Sequence, residues 1–171
     1  GYAGDEVKGS HGPLRSAAKI ITQSGLIFVP HAGEVLGPES VAEVIAMDAN
    51  RIAHGVRSLE NPEVARLLVE RRIACDVTLT SNIRLGIYKD LAHHPVKQMV
   101  ELGIPVTINT DDSLFFGSTL LNEYEQVRDL GISDEQMAEI ARNSIKFSGL
   151  PDVYKNEFDT LIDGWLKSQL I

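Results

Sequence analysis

Segments with a helical pattern and segments with a strand pattern alternate along most of this chain. The helical patterns occupy residues 13–24, 39–49, 61–72 and 94–103, and the apolar strand patterns occupy residues 26–34, 51–55, 73–82 and 104–112. This alternation predicts an α/β fold in which helices cover a parallel sheet. The closed form of that fold, the (β/α)8 barrel, needs about 250 residues. With 171 residues, the chain is too short for a closed barrel.

The chain ends in three helical patterns that have no strand between them. They cover residues 119–131, 134–150 and 153–169. Ser133 and Gln136 predict a capping box at the start of the second of these helices. Gly1 opens directly into what resembles the end of a strand, without an initiator methionine, which is typical of a fragment or a processed product. Because we find no repeat, low-complexity segment or linker, we expect residues 1–171 to form a single domain.

The balance of charge narrows the class of partner. The chain has 16 Lys and Arg against 24 Asp and Glu, which gives a formal net charge of −8. Nucleic acids and anionic membranes attract clustered positive charge, so we expect neither as a partner and favour a small soluble substrate. The single cysteine, Cys75, excludes an internal disulfide and suits a reducing cytoplasm. No run of about 18 apolar residues and no leader is present, so a soluble, cytoplasmic protein is expected.

Polar side chains gather where the predicted strands end. They are His31 and Glu34 after the first strand, His54 after the second, Ser81 and Asn82 after the third, and Asp111 and Asp112 after the fourth. The carboxyl ends of parallel barrel strands lie on one face, where the active sites of such barrels are built. We therefore expect these four groups, which are distant in sequence, to converge.

Each group alone also has a structural explanation. A lone histidine at a strand end more often satisfies local hydrogen bonds than binds a ligand, and His11, His93 and His94 are interpreted in that way. Adjacent aspartates often cap turns and helix starts, and an isolated glutamate such as Glu34 often forms a surface ion pair. Together, however, two carboxylates, two histidines and a glutamate in one pocket are costly to bury without a cation or a reacting ligand.

A divalent metal ion explains the cluster most simply. Zn²⁺ accepts histidine nitrogen and aspartate oxygen, and a catalytic zinc site keeps one position open for water. His31 and Asp111 are the candidate ligands in this sequence. A catalytic zinc normally has three or more protein ligands, so these two residues supply only part of such a site.

Five short motifs occur in a fixed order. They are His31-Ala32-Gly33-Glu34, Arg51-Ile52-Ala53-His54-Gly55, Thr80-Ser81-Asn82, His94-Pro95 and Asn109-Thr110-Asp111-Asp112. In order and spacing they resemble the adenosine deaminase family, the zinc-dependent purine deaminases of the amidohydrolase superfamily. Ala3-Gly4-Asp5-Glu6 is similar to the family's glycine motif after its fourth strand. The resemblance covers essentially the whole chain and implies the C-terminal half of a (β/α)8 TIM-type barrel, from the end of strand 4 through strand 8, with additional C-terminal helices.

The resemblance also implies chemical roles for four residues. His31 and Asp111 correspond to zinc ligands of the family. Glu34 corresponds to the acid that protonates the purine ring nitrogen N1, and His54 to the residue that orients or deprotonates the attacking water. These roles agree with general chemistry, because zinc lowers the pKa of water and a protonated carboxyl makes the purine C6 more electrophilic.

Two further residues are implied to bind the substrate. Asp112 corresponds to the residue that contacts N7 of the purine, and the backbone of Gly4 to the group that contacts N3. The family also has a His-x-His pair near the end of its first strand, and no His-x-His occurs in these 171 residues. The resemblance therefore implies that the first half of the barrel completes the metal site.

Three functional hypotheses remain open at this point. The first is hydrolytic deamination, by the intact protein, of adenosine or a related 6-aminopurine nucleoside to an inosine-type product and ammonia. The second is deamination of adenine or of another adenine-bearing metabolite, such as aminodeoxyfutalosine. The third, of another class, is an inactive half-barrel that self-associates as a homo-oligomer through exposed sheet edges. The isolated chain is expected to bind zinc weakly and to turn over poorly.

Overall fold

The computed structural model describes residues 1–9 and 11–169. The strands are β1 (His31–Ala32), β2 (Arg51–His54), β3 (Ala74–Val77) and β4 (Val106–Ile108). The α-helices are α1 (Arg15–Gln23), α2 (Pro38–Ile45), α3 (Pro62–Arg71), α4 (Leu79–Arg84), α5 (Val96–Glu101), α6 (Ser113–Phe116), α7 (Leu120–Asp129), α8 (Asp134–Lys146) and α9 (Asp152–Gln169). Short 3-10 turns cover Gly12–Leu14, Val56–Glu60 and Leu91–His93.

The strands form one parallel sheet whose spatial order is β1-β2-β3-β4. Each strand therefore lies beside the strand that precedes it in sequence, which is the order found in a (β/α)8 barrel. His31 of β1 pairs with Ala53 of β2. Tyr2 forms an isolated parallel bridge with Pro30, so the predicted end of a further strand lies on the outer side of β1. The sheet confirms the predicted α/β half-barrel.

Two helix starts follow the capping chemistry of the sequence. The Asn61 side chain accepts a hydrogen bond from the backbone N–H of Glu63, and proline occupies the first position of α3. At α8 the Ser133 side chain and the Gln136 side chain each bond the other residue's backbone N–H, which completes the predicted capping box. Such caps satisfy N–H groups that have no partner inside the helix.

The first predicted strand is shorter than its apolar pattern. Only His31–Ala32 of residues 26–34 is regular strand. Pro30 has no N–H to donate to a neighbouring strand. The backbone N–H of Phe28 instead donates to the Asn50 side chain, at 2.8 Å. The carbonyl groups of Val29 and Pro30 still accept the N–H groups of Tyr2 and Ala53, so this segment is paired but is regular strand only at its end.

The third predicted strand is wrong beyond Val77. The sequence predicts a strand through residue 82, whereas Leu79–Arg84 forms α4, so Ser81 and Asn82 lie on a helix. The cause lies far along the chain, because the buried Glu123 carboxylate accepts the N–H groups of Leu79 and Thr80 at 2.9 and 3.2 Å. A carboxylate at a helix start satisfies free N–H groups and favours the helix dipole.

The core lies between the sheet and the outer helices. Val41 and Val44 of α2, Leu68 of α3 and Ile52 of β2 have no measurable exposure, and Val106 of β4 is nearly as buried. Burying an aliphatic side chain of this size contributes about 1.5–3 kcal/mol. This packing fixes the strands, and so their carboxyl ends, in position.

The last two helices pack against each other at the end of the chain. Arg142 of α8 pairs with Asp159 of α9 at 2.8 Å, and also with Asp163. Among the described residues, no helix combines the length and the apolar character needed to cross a membrane.

Candidate active site

Four of the predicted site residues lie together at the carboxyl ends of the strands. The donor atoms of Glu34, His54 and Asp111 all lie within 4.8 Å of one another. Glu34 Oε2 is 3.4 Å from His54 Nε2. The rings of His31 and His54 have their centroids 5.1 Å apart. Side chains from β1, β2 and the loop after β4 thus surround one small volume.

Strained backbone presents two of these side chains. His54 and Asp111 have positive φ angles of 74° and 57°, which non-glycine residues seldom adopt. Gly33, between His31 and Glu34, also has a positive φ, and a Cβ at that position would lie 2.3 Å from a methyl carbon of Val41. For a non-glycine residue such as His54 or Asp111, this conformation costs about 1–3 kcal/mol and persists where the surrounding packing enforces it.

Glu6 holds the loop that carries Glu34. Its carboxylate accepts hydrogen bonds, at 2.6 to 3.3 Å, from the backbone N–H groups of Gly33, Glu34, Val35 and Leu36 and from the Ser40 hydroxyl. Burial opposes ionisation of Glu6, but these hydrogen bonds outweigh it and hold its pKa below the ordinary value. An ionised Glu6 therefore fixes the position of Glu34.

Glu34 is a carboxyl group suited to carry a proton near neutral pH. Burial, followed by the negative charges of Asp111 and Glu6, raises the pKa of Glu34 to about 7. One hydrogen bond acts against this shift, because Asn82 Nδ2 donates to Glu34 Oε1 at 3.0 Å. The Glu34 side chain is only 15% exposed. A group with its pKa close to the working pH is an efficient general acid.

We expect Glu34→Gln to stabilise the metal-free chain at alkaline pH. The raised pKa means that the folded state keeps a proton that the unfolded state loses above its ordinary value of 4.5, so stability falls as pH rises from there to about 7. Glutamine removes that cost, which corresponds to about 1–3 kcal/mol at about pH 8 and vanishes below about pH 4.5. Urea unfolding with a chelator present, at both pH values, measures the difference.

The control for this experiment is Glu101→Gln, because Glu101 is an exposed carboxyl at the end of α5. It should change the free energy of unfolding equally at the two pH values. An equal effect of Glu34→Gln at both pH values would show that Glu34 ionises normally.

His54 is neutral at neutral pH. Burial, followed by the positive charge of His31, lowers the pKa of His54 to about 4. Its Nδ1 lies 3.3 Å from the Thr78 hydroxyl. A neutral imidazole beside a protonated carboxyl provides one proton acceptor and one proton donor in the same site.

The donor set fits a zinc ion. His31 Nδ1 lies 3.0 Å from the carbonyl oxygen of Tyr2, which only accepts, so Nδ1 donates and Nε2 is the ring nitrogen available to a metal ion. Histidine ligands are usually held by a hydrogen bond of this kind. Asp111 Oδ2 accepts the Ser81 hydroxyl at 2.5 Å, which leaves Oδ1 for a cation. His31 and Asp111 can therefore hold zinc, with His54 close by.

The two predicted substrate contacts are placed differently from the cluster. The backbone of Gly4 lines a small pocket whose wall also includes His31. Asp112 is exposed, and its Oδ1 accepts the backbone N–H of Phe115 at 3.0 Å, which caps α6. This is the capping role that the sequence also offered for the paired aspartates. The cap uses only Oδ1 of Asp112, and Oδ2 takes no part in it.

A cavity of about 1310 Å³ opens from the cluster toward the last helices. Its polar wall includes His31, His54, Thr78, Asn109 and Asp111, and its apolar wall includes Leu121, Tyr124, Phe158, Leu161 and Trp165. Glu34 does not line it, but its Oε2 lies 3.4 Å from Nε2 of His54, which does.

Sequence reasoning missed Glu6 and Glu123, which support the site, and it placed Asn82 among the converging polar residues without giving it a role. Glu6 holds the Glu34 loop, Asn82 bonds Glu34 directly, and Glu123 starts the helix that carries Asn82. Glu6 and Asn82 left a signal, since both stand inside family-like motifs. Glu123 left none, because it occupies an ordinary helical position whose burial depends on the fold.

Comparison with known sequences gives consistent matches. A family model described as adenosine deaminase matches residues 1–165. A putative adenosine/adenine deaminase from Streptomyces coelicolor is 36% identical over 97% of this chain and 49% of its own length. An aminodeoxyfutalosine deaminase from the same organism is 42% identical over 85% of this chain and 39% of its own length. The chain spans about half the length of the first of these relatives and 39% of the length of the second.

Solved structures give the same result. The crystal structure of adenine deaminase from Arthrobacter aurescens matches with a TM-score of 0.90 and 30% identity, over 96% of this chain and 51% of that protein. The half-barrel thus matches half of a longer protein in both sequence and structure. The chain belongs to the adenosine deaminase family.

Proposed function

We propose that the full-length protein is a zinc-dependent aminohydrolase that converts adenosine, or a related 6-aminopurine nucleoside, to an inosine-type product and ammonia. The observation that carries this proposal is the trio of Glu34, His54 and Asp111, with the pKa of Glu34 raised to about 7 and that of His54 lowered to about 4. Opposite shifts in adjacent groups separate the acid from the base.

His31 and Asp111 would hold the zinc ion. Its remaining protein ligands would come from the part of the full-length protein that corresponds to the half of the relatives not covered by this chain. When bound, zinc lowers the pKa of a coordinated water toward neutrality. The Ser81 hydroxyl and the Tyr2 carbonyl orient Asp111 and His31 respectively. This orientation is the contribution of the chain itself to the metal site.

Glu34 and His54 would move the protons of the reaction. Glu34 donates a proton to N1 of the purine, which makes C6 more electrophilic, while neutral His54 accepts a proton from the attacking water. The water oxygen bonds to C6, the C6–N bond then breaks, and the amino group leaves with the proton from His54 as ammonia. The proton of the new C6 hydroxyl returns to Glu34 as the C6=O group of the product forms. The sum is one water consumed and one ammonia released for each purine.

Substrate contacts are assigned to Gly4 and Asp112. We place N3 of the purine near the Gly4 backbone, since Gly4 and His31 line the same pocket. We place N7 near Asp112, whose Oδ1 bonds to the backbone of Phe115. A contact from each side would orient the purine between the acid and the metal.

A second candidate substrate for the same reaction is aminodeoxyfutalosine. The aminodeoxyfutalosine deaminase shares 42% of aligned residues with this chain, against 36% for the adenosine/adenine deaminase. Free adenine is the third substrate to compare.

For the isolated chain we propose a single domain over residues 1–171 (of which 10, 170 and 171 lie outside the described residues), weak zinc binding and poor turnover. Within the described residues, the outer edge of β4 pairs with no further strand, so self-association through this edge is the non-catalytic alternative. Light scattering that finds a stable monomer would exclude it. We also propose a cytoplasmic location, which suits the buried free thiol of Cys75.

The deciding experiment uses the full-length protein with adenosine, adenine and aminodeoxyfutalosine, and follows ammonia release. We expect hydrolysis of at least one substrate, loss of activity after chelation and recovery with added zinc. A folded, zinc-loaded protein that releases ammonia from none of the three would contradict the proposal.

A further inference from the structure

The two ring nitrogens of the buried His94 have different partners. Its Nδ1 lies 3.2 Å from the backbone N–H nitrogen of Val96, which can only donate. Nδ1 therefore carries no proton, and in a neutral ring the proton lies on Nε2. Burial lowers the pKa of His94 to about 4, which agrees with a neutral ring at neutral pH. The fold thus selects one tautomer of this histidine.

That tautomer determines the orientation of the Asn82 amide. His94 Nε2 lies 3.2 Å from Asn82 Oδ1, so its N–H donates to that oxygen. The amide nitrogen of the fully buried Asn82 then points the other way and donates to Glu34 Oε1, at 3.0 Å. If the amide were rotated by about 180°, its NH₂ group would face the N–H of His94, which places two donors together. Its oxygen would face the carboxylate oxygen of an ionised Glu34, which places two acceptors together.

Asn82 is itself held firmly by the backbone of α4 and the loop after it. Its N–H donates to the Thr78 carbonyl at 3.2 Å, and its carbonyl accepts the N–H of Ile87 at 2.9 Å. The amide is therefore a fixed donor aimed at one oxygen of Glu34. The other oxygen, Oε2, is the one that lies 3.4 Å from His54 Nε2.

We propose that His94 and Asn82 are positioning residues: His94 sets the Asn82 amide, and Asn82 occupies Oε1 of Glu34, so that Oε2 is the oxygen that reaches the substrate. Neither residue touches the reacting atoms. The catalytic consequence rests on the proposed function, whereas the His94–Asn82–Glu34 arrangement stands on its own hydrogen bonds.

The first test reads the tautomer of His94 in the unaltered protein. Full-length protein labelled with ¹⁵N-histidine is studied by long-range ¹H–¹⁵N NMR at about pH 7, where an ordinary histidine is mostly neutral and exchanges between tautomers. The signal that disappears in His94→Phe belongs to His94. We expect a neutral ring protonated on Nε2. A ring protonated on Nδ1, or on both nitrogens, overturns the proposal.

The second test is a double-mutant cycle in the full-length protein. Asn82→Ala is expected to lower kcat by about 10- to 100-fold with little change in KM, because a misdirected acid slows the chemical step. His94→Phe, which keeps a ring against Tyr88, is expected to lower kcat by about 10-fold. Because His94 acts through Asn82, the double variant should match Asn82→Ala alone.

Multiplying effects in the double variant would overturn the proposal, since they would show that His94 acts independently of Asn82. The matched control is His93→Phe, because His93 is exposed and bonds only to Asp90 among the side chains described. It should leave kcat unchanged. If the unaltered protein deaminates nothing, the proposed function fails while the NMR result still decides the His94–Asn82 arrangement. If Asn82→Ala does not fold, the NMR result decides alone. If His94→Phe does not fold, the His94 signal is assigned instead by its contact with the Tyr88 ring.

Discussion

Glu34→Gln in the zinc-loaded full-length protein is expected to lower kcat by about 100- to 10,000-fold, the range that general acid catalysis contributes. Glutamine has nearly the same shape but no transferable proton. The pKa of Glu34, raised to about 7, is the property that the variant removes. KM should change far less than kcat, since the purine still contacts the same surfaces. Steady-state kinetics on the best substrate measures both.

The control for the catalytic role of Glu34 is again Glu101→Gln, which should retain full kcat. Zinc content must be equal in all three proteins, so that a lost acid is distinguished from a lost metal. A Glu34→Gln protein with full zinc and more than about one tenth of the parent kcat would rule out Glu34 as the general acid.

The second large effect is expected at the metal. Asp111→Ala should weaken zinc binding by more than about 100-fold and abolish activity at the same time. Loss of a hydrogen bond that supports a ligand lowers metal affinity by about 10- to 100-fold, and loss of the ligand itself should lower it further. The neighbouring Ser81 hydroxyl, which bonds Asp111 Oδ2 at 2.5 Å, also loses its acceptor. Competition with a zinc chelator gives the affinity.

Asp129→Ala is the matched control for Asp111, because Asp129 is an exposed aspartate at the end of α7. Its zinc affinity and activity should equal those of the parent. Stoichiometric, tight zinc in Asp111→Ala would remove Asp111 from the ligand set.

The part of the site that follows from strand order could be predicted from sequence. Parallel strands place their carboxyl ends on one edge, so His31, His54 and Asp111 come together however far apart they are along the chain. The family-like motifs identified the same residues and the half-barrel.

The supporting contacts could not be predicted, because they depend on tertiary structure. Nothing local shows that Glu123 will start α4 from 43 or more residues away, and so the strand prediction ran too far. His94 was interpreted as a structural histidine, and its bond to Asn82 becomes visible only when α4 and the loop before α5 are packed together. Sequence thus identified the residues of the proposed site better than the residues that hold them in place.

The most direct test of the whole account is to locate zinc in crystals of the zinc-loaded full-length protein by anomalous diffraction at the zinc edge. We expect one strong peak at about 2.0–2.2 Å from His31 Nε2 and from an oxygen of Asp111, the usual length of zinc bonds to nitrogen and oxygen. Glu34 and His54 should face the same volume. A stoichiometric zinc ion bound elsewhere, with these side chains directed away from one another, would contradict the account.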